Sequence, residues 1–496
     1  MSKSLTELLA LLPEAKVLGE AGQKIEGITA DSRKVGPGTL FVCLTGARVD
    51  GHNFIAEAHK LGATAAVVEK DVPAPAGMTL IKVGDSREAM QIIVPFFYDY
   101  PGRKMRMIGV TGTNGKTTTT HLIRSIFIEA GYKVGLIGTI HILIGDRMLP
   151  VQNTTPDVVD LQSTLAEMAA EGIDYVIMEV SSHALELGRT AGCEFDVGVF
   201  TNLTQDHLDF HITFDKYRDA KAKLFRQLGD VHAVKTGKHA VINLDDASAA
   251  QLLQHCTCPV ITYGTAEQST IRAQEVSVKA EGVQFTVTGP FGHMPLQLKI
   301  TGMFNVYNTL AAISAARAEG ISTALIKKAL EEFRTVSGRF ELVDEGQPYA
   351  VIVDYAHTPD GLENILKTAR QFAEKRIIVV FGCGGDRDKT KRPIMGRLAA
   401  QYGDVVIATS DNPRTEDPVA ILADVEAGIK QGLENGKGYE VIIDRKQAIA
   451  KALQVAQPRD IVIIAGKGHE TYQILKDKTI DFDDREVARS VIREMR

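Results

Sequence analysis

Residues 109–120 read GVTGTNGKTTTT, four consecutive threonines behind a glycine-bounded lysine. The apolar run MRMIGV (105–110) before it predicts a strand, and HLIRSIFIEAG (121–131) after it predicts an amphipathic helix. Strand, tight glycine turn and helix start are together the context of a phosphate loop. Gly112 and Gly115 remove side chains so that backbone N–H groups can wrap polyphosphate oxygens, while the helix turns its positive end toward them. The loop comprises Gly112, Thr113, Asn114, Gly115, Lys116, Thr117 and Thr118. Lys116 is placed for the β- and γ-phosphates, and Thr117 supplies the hydroxyl that such a loop offers to magnesium. The usual pattern carries glycine where this chain has Val110, but the flanking strand and helix outweigh that departure. A nucleoside triphosphate with Mg2+ is therefore expected. Which reaction consumes it does not follow from the loop.

Whole-chain properties set the frame. A length of 496 residues exceeds one ordinary core and implies about two to four domains. With 44% apolar residues, 24% charged residues and 44 glycines, the composition is that of a soluble globular chain rich in strand-to-helix turns. A net charge of -6 argues against general nucleic-acid binding. Cys43, Cys193, Cys256, Cys258 and Cys383 form no paired C-x-x-C set, which points to a reducing compartment and no structural zinc. MSKSLTELLALLPEAKV acquires charge too early for a signal peptide, and no apolar run reaches membrane length. A cytoplasmic monomer without membrane insertion is expected.

Three regions follow from composition and periodicity: 1–98, 99–334 and 335–496. The first carries short strands (KIEGITADSR, GTLFVCL, GATAAVVE) and the helical HNFIAEAHKLG, with PFFYDYPGRKMR read as a linker. Its turns at 31–33 and 48–52 are ligand contacts or merely solvated turns. In the second region KVGLIGTI, DYVIMEVSSH and FDVGVFTNLTQDHLDFH alternate with helices such as DLQSTLAEMAAEG, which predicts a mostly parallel sheet. Glu179, Ser181, His183, Asn202 and His207 fall at the carboxyl ends of these strands, where sites in such sheets gather. Glu179 suits a hard cation better than His207 does. Lys221 and Lys223 lie on the helical FDKYRDAKAKLF, where a solvated face is the ordinary reading. Alternation from about 270 to 300 predicts antiparallel strands, and Asn305 and Asn308 share one face of the next helix.

The third region repeats strand plus polar turn in VIVDYAHTPDG, RIIVVFGCGGDRDKTKRP, DVVIATSDNPRTEDP and DIVIIAGKGHETYQ, another α/β domain. Its turns supply Asp354, His357, Arg387, Asn412, Arg414, Lys467 and Glu470. A bond-making enzyme and a triphosphate-driven switch both remain open on these grounds.

GTNGKTT (112–118), EVSSHAL (179–185), TNLTQDHLDFH (201–211), FNVYN (304–308), SGR (337–339) and DYAHTPD (354–360), with DSR, DNPR and GKGHE at the two ends, resemble the Mur ligases. These belong with the folylpolyglutamate synthetases in a wider group of ATP-dependent amide-bond-forming enzymes. The resemblance implies an α/β three-domain Mur ligase architecture: a UDP-muramyl-binding domain, a central P-loop nucleotide-binding domain, and a C-terminal Rossmann-like α/β domain for the incoming amino acid. It implies the diamino-acid-adding branch, which works in peptidoglycan precursor synthesis. That branch uses ATP to join meso-2,6-diaminopimelate to UDP-N-acetylmuramoyl-L-alanyl-D-glutamate through an acyl phosphate. L-lysine as the added amino acid, or folate polyglutamylation, is the alternative.

By the same resemblance, Thr117, Glu179, His207 and Lys221 are metal ligands, with Lys221 carrying a CO2-derived carbamate. Lys116, Lys221 and His207 are implied to be catalytic, and Asn305, Arg339 and Asp354 to contact ATP. Ser32, Asp50, Gly51, His52, Asn153, Thr154, Thr155, Ser181 and Arg189 would hold the UDP-linked substrate. Arg387, Asp411, Asn412, Pro413, Arg414, Gly466 and Glu470 would hold the diamino acid. An arginine fork at 414 suits the distal carboxylate that distinguishes diaminopimelate from lysine.

Overall fold

In the strand Thr39–Val42, Leu40 and Val42 turn to one face of a sheet and Phe41 to the other, following the two-residue period of a strand. The computed structural model describes residues 1–495 except 47, 48, 152, 232, 280 and 435. Contacts gather these residues into two units. One comprises Met1–Gly109, Tyr132–Gly198 and Lys223–Lys238, the other Val110–Gly131, Val199–Ala222 and His239–Arg496.

In the first unit, a five-stranded sheet runs Lys16–Leu18, Thr79–Lys82, Ala63–Val68, Thr39–Val42, Gly27–Thr29, parallel except at the Lys16–Leu18 edge. Leu40, Val42, Ala65 and Val67 pack against Met90, Ile93, Val94 and Phe97 of the helix Ser86–Phe97. Phe41, Ala66, Val68 and Leu80 cover the other face with Ile55 and Ala58 of the helix Ile55–Lys60. Full burial of each larger side chain contributes about 1.5–3 kcal/mol. The helix Ser86–Phe97 takes in Pro95, so the linker expected to begin there begins at Tyr98 instead. Burial of Val94 and Phe97 and a strong cap at Asp85, which accepts from the amides of Arg87 and Glu88, offset the cost of the late proline.

A second set of strands in this unit places Val134–Ile137 parallel to Tyr175–Glu179 and antiparallel to Ile142–Ile144, which turns through Gly145 and Asp146 into Arg147–Leu149. That hairpin is absent from the sequence reading because three-residue strands carry too little periodicity. The crossover helix Val158–Ala170 starts at the Asp157 cap and buries Leu161, Leu165 and Met168.

In the second unit, His239–Asn243, Val260–Gly264 and Ile271–Lys279 pair in parallel, and Gly282–Gly289 and Gly292–Leu298 add the expected antiparallel strands. The helix Met303–Ala318 packs on the helix Lys116–Glu129. A six-stranded sheet runs Glu341–Leu342, Ala350–Asp354, Ile461–Ala465, Ile377–Phe381, Val405–Ala408, Gly438–Val441, antiparallel only at its first strand. Helices cover both faces: Leu362, Leu366, Met395 and Val425 on one, Ile449, Leu453, Val491 and Ile492 on the other. This is the doubly wound arrangement in which ligands meet the carboxyl ends of strands. Those ends carry Asp354 and the turns 382–385, 411–414 and 466–470. Among the described residues no helix is long and apolar enough to cross a membrane.

Candidate active site

The strand Arg106–Thr111 delivers the chain into the glycine loop, and the helix Lys116–Glu129 leaves it. Gly112 (φ 150) and Gly115 (φ 86) take backbone conformations that L side chains rarely adopt. Added side chains would also collide, at Gly112 with Thr201 Oγ1 and at Gly115 with Asn308 Oδ1. The loop is latched by the turn after Phe200. The Thr113 amide donates to Asn202 O (2.8 Å), the Asn114 amide to Asn202 Oδ1 (2.9 Å), and Thr201 Oγ1 and Asn202 Nδ2 donate to Asn114 O. Lys116 Nζ folds back onto the carbonyls of Gly112 and Thr113, each at 2.8 Å. Such a ring holds the first-turn amides of the helix open to an anion.

Gly112→Ala is expected to weaken ADP binding by at least about tenfold, since a clash and a positive φ would both have to be relieved before the loop could close. Titration with a fluorescent ADP analogue checks it, beside a melting curve that separates loop damage from global unfolding.

Beside the loop lies a cavity of about 370 Å³ lined by Asn114, Thr118, Tyr307, Asn308, Arg339 and Asp354, among others. Arg339 Nη2 donates to Thr117 Oγ1 at 3.0 Å, and its guanidinium lies 4.5 Å from the Tyr355 ring centroid. Asp354 accepts from the amides of Phe340 and Ala356, and burial raises its pKa against the influence of Arg339 and those amides. Asn305 stands behind this wall. It donates to Thr301 O and accepts from Asn308 Nδ2, so Asn308 is the member of the pair that borders the cavity. Neither residue caps the helix, whose N-cap is Gly302.

Lys221 is not on a solvated face. It is 2% exposed, its Nζ donates to Gly112 O at 2.9 Å, and it sits 4.6 Å from the Tyr217 ring centroid. Burial and then the Lys116 cation hold its amine well below the ordinary lysine range, against the pull of Asp206. Asp206 is buried beside His207, whose Nε2 lies 3.3 Å from its Oδ2, and His207 itself adopts a left-handed backbone (φ 55). Burial opposes the Asp206 carboxylate, but His207, His357 and Lys391 outweigh it and hold its pKa low.

His357 is pushed to about 4 by burial and then by Lys391, against the pull of Asp206. A histidine depressed from 6.5 stays neutral in the fold while the unfolded chain takes up a proton, so stability is full above about pH 6.5 and falls toward pH 4. In His357→Asn the slope of unfolding free energy against pH between 6.5 and 4 is expected to flatten, as urea titrations at successive pH values would register.

The turns at the end of the six-stranded sheet converge as well. Asn412 Nδ2 donates to Glu470 Oε2 (2.9 Å), and buried Lys467 donates to the same Glu470 oxygen (2.9 Å) and to Asn412 Oδ1 (3.2 Å). Arg414 (φ 51) is half-buried and is held by backbone carbonyls, Gly385 O at 2.8 Å and Asn412 O at 3.4 Å; among the described residues no carboxylate pairs with it. Burial and then the Arg387 charge lower its pKa, against the pull of Asp411, Glu470 and Asp386. Arg387 is exposed and donates to Asp386 O. Asp411 accepts from the Asn412 amide, Pro413 O receives the Glu416 amide, and a side chain on Gly466 (φ 118) would come within 2.7 Å of Asp411 Oδ2.

In the first unit, Glu179 accepts from the Thr139 amide and hydroxyl, both at 2.9 Å, and Thr139 Oγ1 lies 3.1 Å from Thr154 Oγ1. Thr155 bonds Glu179 O and Ser181 Oγ, and Arg189 Nη1 donates to Thr155 O. Exposed Asn153 precedes this cluster in a bend. Ser32 opens the turn Ser32–Lys34 behind the Asp31 cap. Asp50 accepts from His52 and Lys70, while His52 Nε2 accepts from the Glu69 amide, so these two side chains tie their loop to the turn that follows the strand Ala63–Val68. Gly51 allows the chain to pass Leu44 closely, and Arg48 lies outside the described residues.

Comparison with known proteins adds the lineage. Three family models match: Mur ligase family, catalytic domain, over residues 24–98; Mur ligase middle domain over 110–316; and Mur ligase, glutamate ligase domain, over 338–468. A UDP-N-acetylmuramoyl-L-alanyl-D-glutamate--2,6-diaminopimelate ligase of Geobacillus thermodenitrificans is 51% identical over 493 residues, covering 99% of this chain and 100% of the relative. The chain belongs to the Mur ligase family. A relative of the same name from Geobacillus kaustophilus is 50% identical, covering 99% of each chain. A solved structure of a 2,6-diaminopimelate ligase aligns over 100% of this chain and 99% of its own, at 34% identity and a TM-score of 0.68.

As a Mur ligase, the chain uses ATP to form amide bonds, and its donor set can be tested against magnesium. No group of three or more His, Cys, Asp or Glu side chains among the described residues is arranged to hold a metal ion. A phosphate-borne magnesium needs only one or two protein ligands beside phosphate oxygens and water. The Thr117 hydroxyl at the mouth of the glycine cradle fits that demand. Sequence reasoning missed Asp206, Lys391, Asp360 and Tyr307. Asp360 bonds Asn114 Nδ2 at 2.7 Å, and Tyr307 bonds Asp245 Oδ2 at 2.9 Å. DHLDFH and DYAHTPD carry the first and third of these, Asp206 in the turn after the strand Val197–Phe200 and Asp360 in the first turn of the helix Pro359–Phe372.

Proposed function

We propose that this Mur ligase joins meso-2,6-diaminopimelate to the D-glutamyl carboxylate of UDP-N-acetylmuramoyl-L-alanyl-D-glutamate, releasing ADP and phosphate. The observation that carries this reading is the match of 51% identity along 99% of the chain to a ligase of that name. A carboxylate and an amine do not condense directly, because the oxygen to be expelled is a poor leaving group. In the proposed sequence a D-glutamyl carboxylate oxygen attacks the γ-phosphorus, ADP departs, and an acyl phosphate forms. The amine then adds to the acyl carbon, phosphate leaves, and the amine gives up a proton.

The glycine loop and Lys116 would grip the polyphosphate, with Arg339 and Asp354 at the edge of the cavity and Asn305 backing Asn308. Lys116 would offset negative charge as it shifts onto the leaving ADP. Magnesium would be held by Thr117 and phosphate oxygens, with Glu179, His207 and a carbamate on Lys221 as further ligands, and would supply charge neutralisation. The depressed Lys221 amine supports the carbamate: a neutral amine adds to CO2, forms an N–C bond and loses a proton. We assign residues 1–98 with Ser32, Asp50, Gly51 and His52, together with Asn153, Thr154, Thr155, Ser181 and Arg189, to the UDP-linked substrate. Residues 99–334 would bind ATP, and 335–496 the diamino acid through Arg387, Arg414, Glu470 and the backbone at 411–413 and 466. Glu470 already accepts from Lys467, so a substrate ammonium would have to share it. The chain would act as a cytoplasmic monomer.

Incubation with ATP and both substrates, analysed for phosphate and product mass, tests the reading. A product heavier than the UDP substrate by diaminopimelate less water is expected. Phosphate release without a peptide product would favour a nucleotide switch, and joining of folate to glutamate would move the chain to the other branch of the group.

A further inference from the structure

Arg339 reaches Thr117 from a strained turn. Gly338 (φ 67) and Phe340 (φ 48) flank it in the left-handed region, where a bulky side chain such as Phe340 is rarely found. Two carboxylates hold this turn. Asp354 accepts from the Phe340 amide at 2.6 Å, and Glu341 Oε2 accepts from the Gly338 amide at 2.7 Å. Asp354 lines the cavity beside the glycine loop, whereas Glu341 lies outside that lining and faces the last helix, Asp484–Glu494. There Arg485 Nη1 is 3.6 Å from Glu341 Oε2, and Arg489 Nη2 is 3.7 Å from Glu341 Oε1. Arg485 is oriented by two bonds to Asp483, the cap of that helix, and also donates to Ser337 Oγ in the turn itself. Arg493 completes the row with two bonds to Glu345, at 2.9 and 2.8 Å. Arginines four apart share one helix face, and the carboxylates they meet are also four apart.

Partly exposed ion pairs of this kind contribute little to stability, but a donor misplaced by 1 Å can cost about 10²-fold in rate. The larger effect of the row is therefore on where Arg339 points. We propose that Glu341, set by Arg485 and Arg489, is a positioning residue that presents Arg339 to the phosphate end of the bound nucleotide. Arg339 Nε, buried and without an acceptor among the described residues, is a donor left for that anion. The proposal rests on the ATP-ligase reading above, and Glu341 acts only through Arg339.

The test is a double-mutant cycle. Glu341→Ala is expected to lower kcat/KM for ATP by about 10- to 10²-fold while KM for diaminopimelate stays within about twofold. Glu341→Gln, whose amide oxygen still accepts from Gly338, is expected to recover most of that loss. In an Arg339→Ala background, adding Glu341→Ala should cost nothing more. Losses that multiply, or unchanged ATP kinetics in Glu341→Ala, overturn the proposal. If Glu341→Ala does not fold, the pair Arg485→Ala and Arg489→Ala replaces it in the same cycle with the same expectations. A native chain that makes no product overturns the ligase reading instead, and the cycle then runs on ADP affinity by calorimetry, where multiplying losses again count against the proposal.

Discussion

Replacing Lys221 with alanine is expected to cut ligation by about 10²- to 10³-fold, the scale of removing one charge-stabilising group from a dry site. The side chain has no solvent to return to: it is 2% exposed, between Gly112 O and the Tyr217 ring. An ammonium there would face the Lys116 cation with only Asp206 to offset it, which is why its amine lies well below the ordinary range. A neutral amine that reacts with CO2 becomes a carboxylate-like anion, the opposite charge at the same place. The alanine variant should therefore regain part of its activity when a small carboxylic acid is added, as measured by phosphate release and product formation. Full activity of the variant at low bicarbonate would remove the carbamate from the mechanism. Lost activity with no response to added carboxylates would mean that Lys221 acts as a cation.

Arg414→Ala is expected to lower kcat/KM for meso-diaminopimelate by about 10²-fold or more and to affect L-lysine far less. The two amino acids share one end and differ at the other, where only diaminopimelate has a second carboxylate. Arg414 is prepared for such a group because backbone carbonyls, and no carboxylate among the described residues, hold its guanidinium. Its own burial and the neighbouring Arg387 lower its pKa against the pull of Asp411, Glu470 and Asp386, and pairing with a substrate carboxylate would relieve the cost of burying the cation. Steady-state kinetics with both amino acids in native and variant chains give the answer. A native preference for lysine, or equal losses for both, would sink the assignment.

Some of these residues were legible because their chemistry is local. GTNGKTT announces a phosphate loop through glycines, lysine and threonine within seven positions, and DNPR places an arginine behind a stiff turn. The parallel strands of the C-terminal region were readable for a similar reason, since IIVVF and IVIIA are buried on both faces and show as unbroken apolar runs. The short hairpin at 142–149 was not, because three-residue strands leave no period to detect.

Other roles depended on contacts between distant positions. By itself the sequence determined the α/β class, the phosphate loop and the family. The first two rest on spacing along the chain, which the backbone's own geometry converts into strand, turn and helix, and the third on the resemblance of its motifs to those of the Mur ligases. Only the tertiary structure decided that Lys221 is buried against Gly112, a partner 109 residues away, where its helix alone suggested a solvated face. It also set Asn308 rather than Asn305 at the cavity wall, and tied Asp50 and His52 to Lys70 and the Glu69 amide. It left Arg414 on backbone carbonyls. Charge, burial and hydrogen-bond partners belong to a residue's surroundings, and those are assembled only when separated segments pack together.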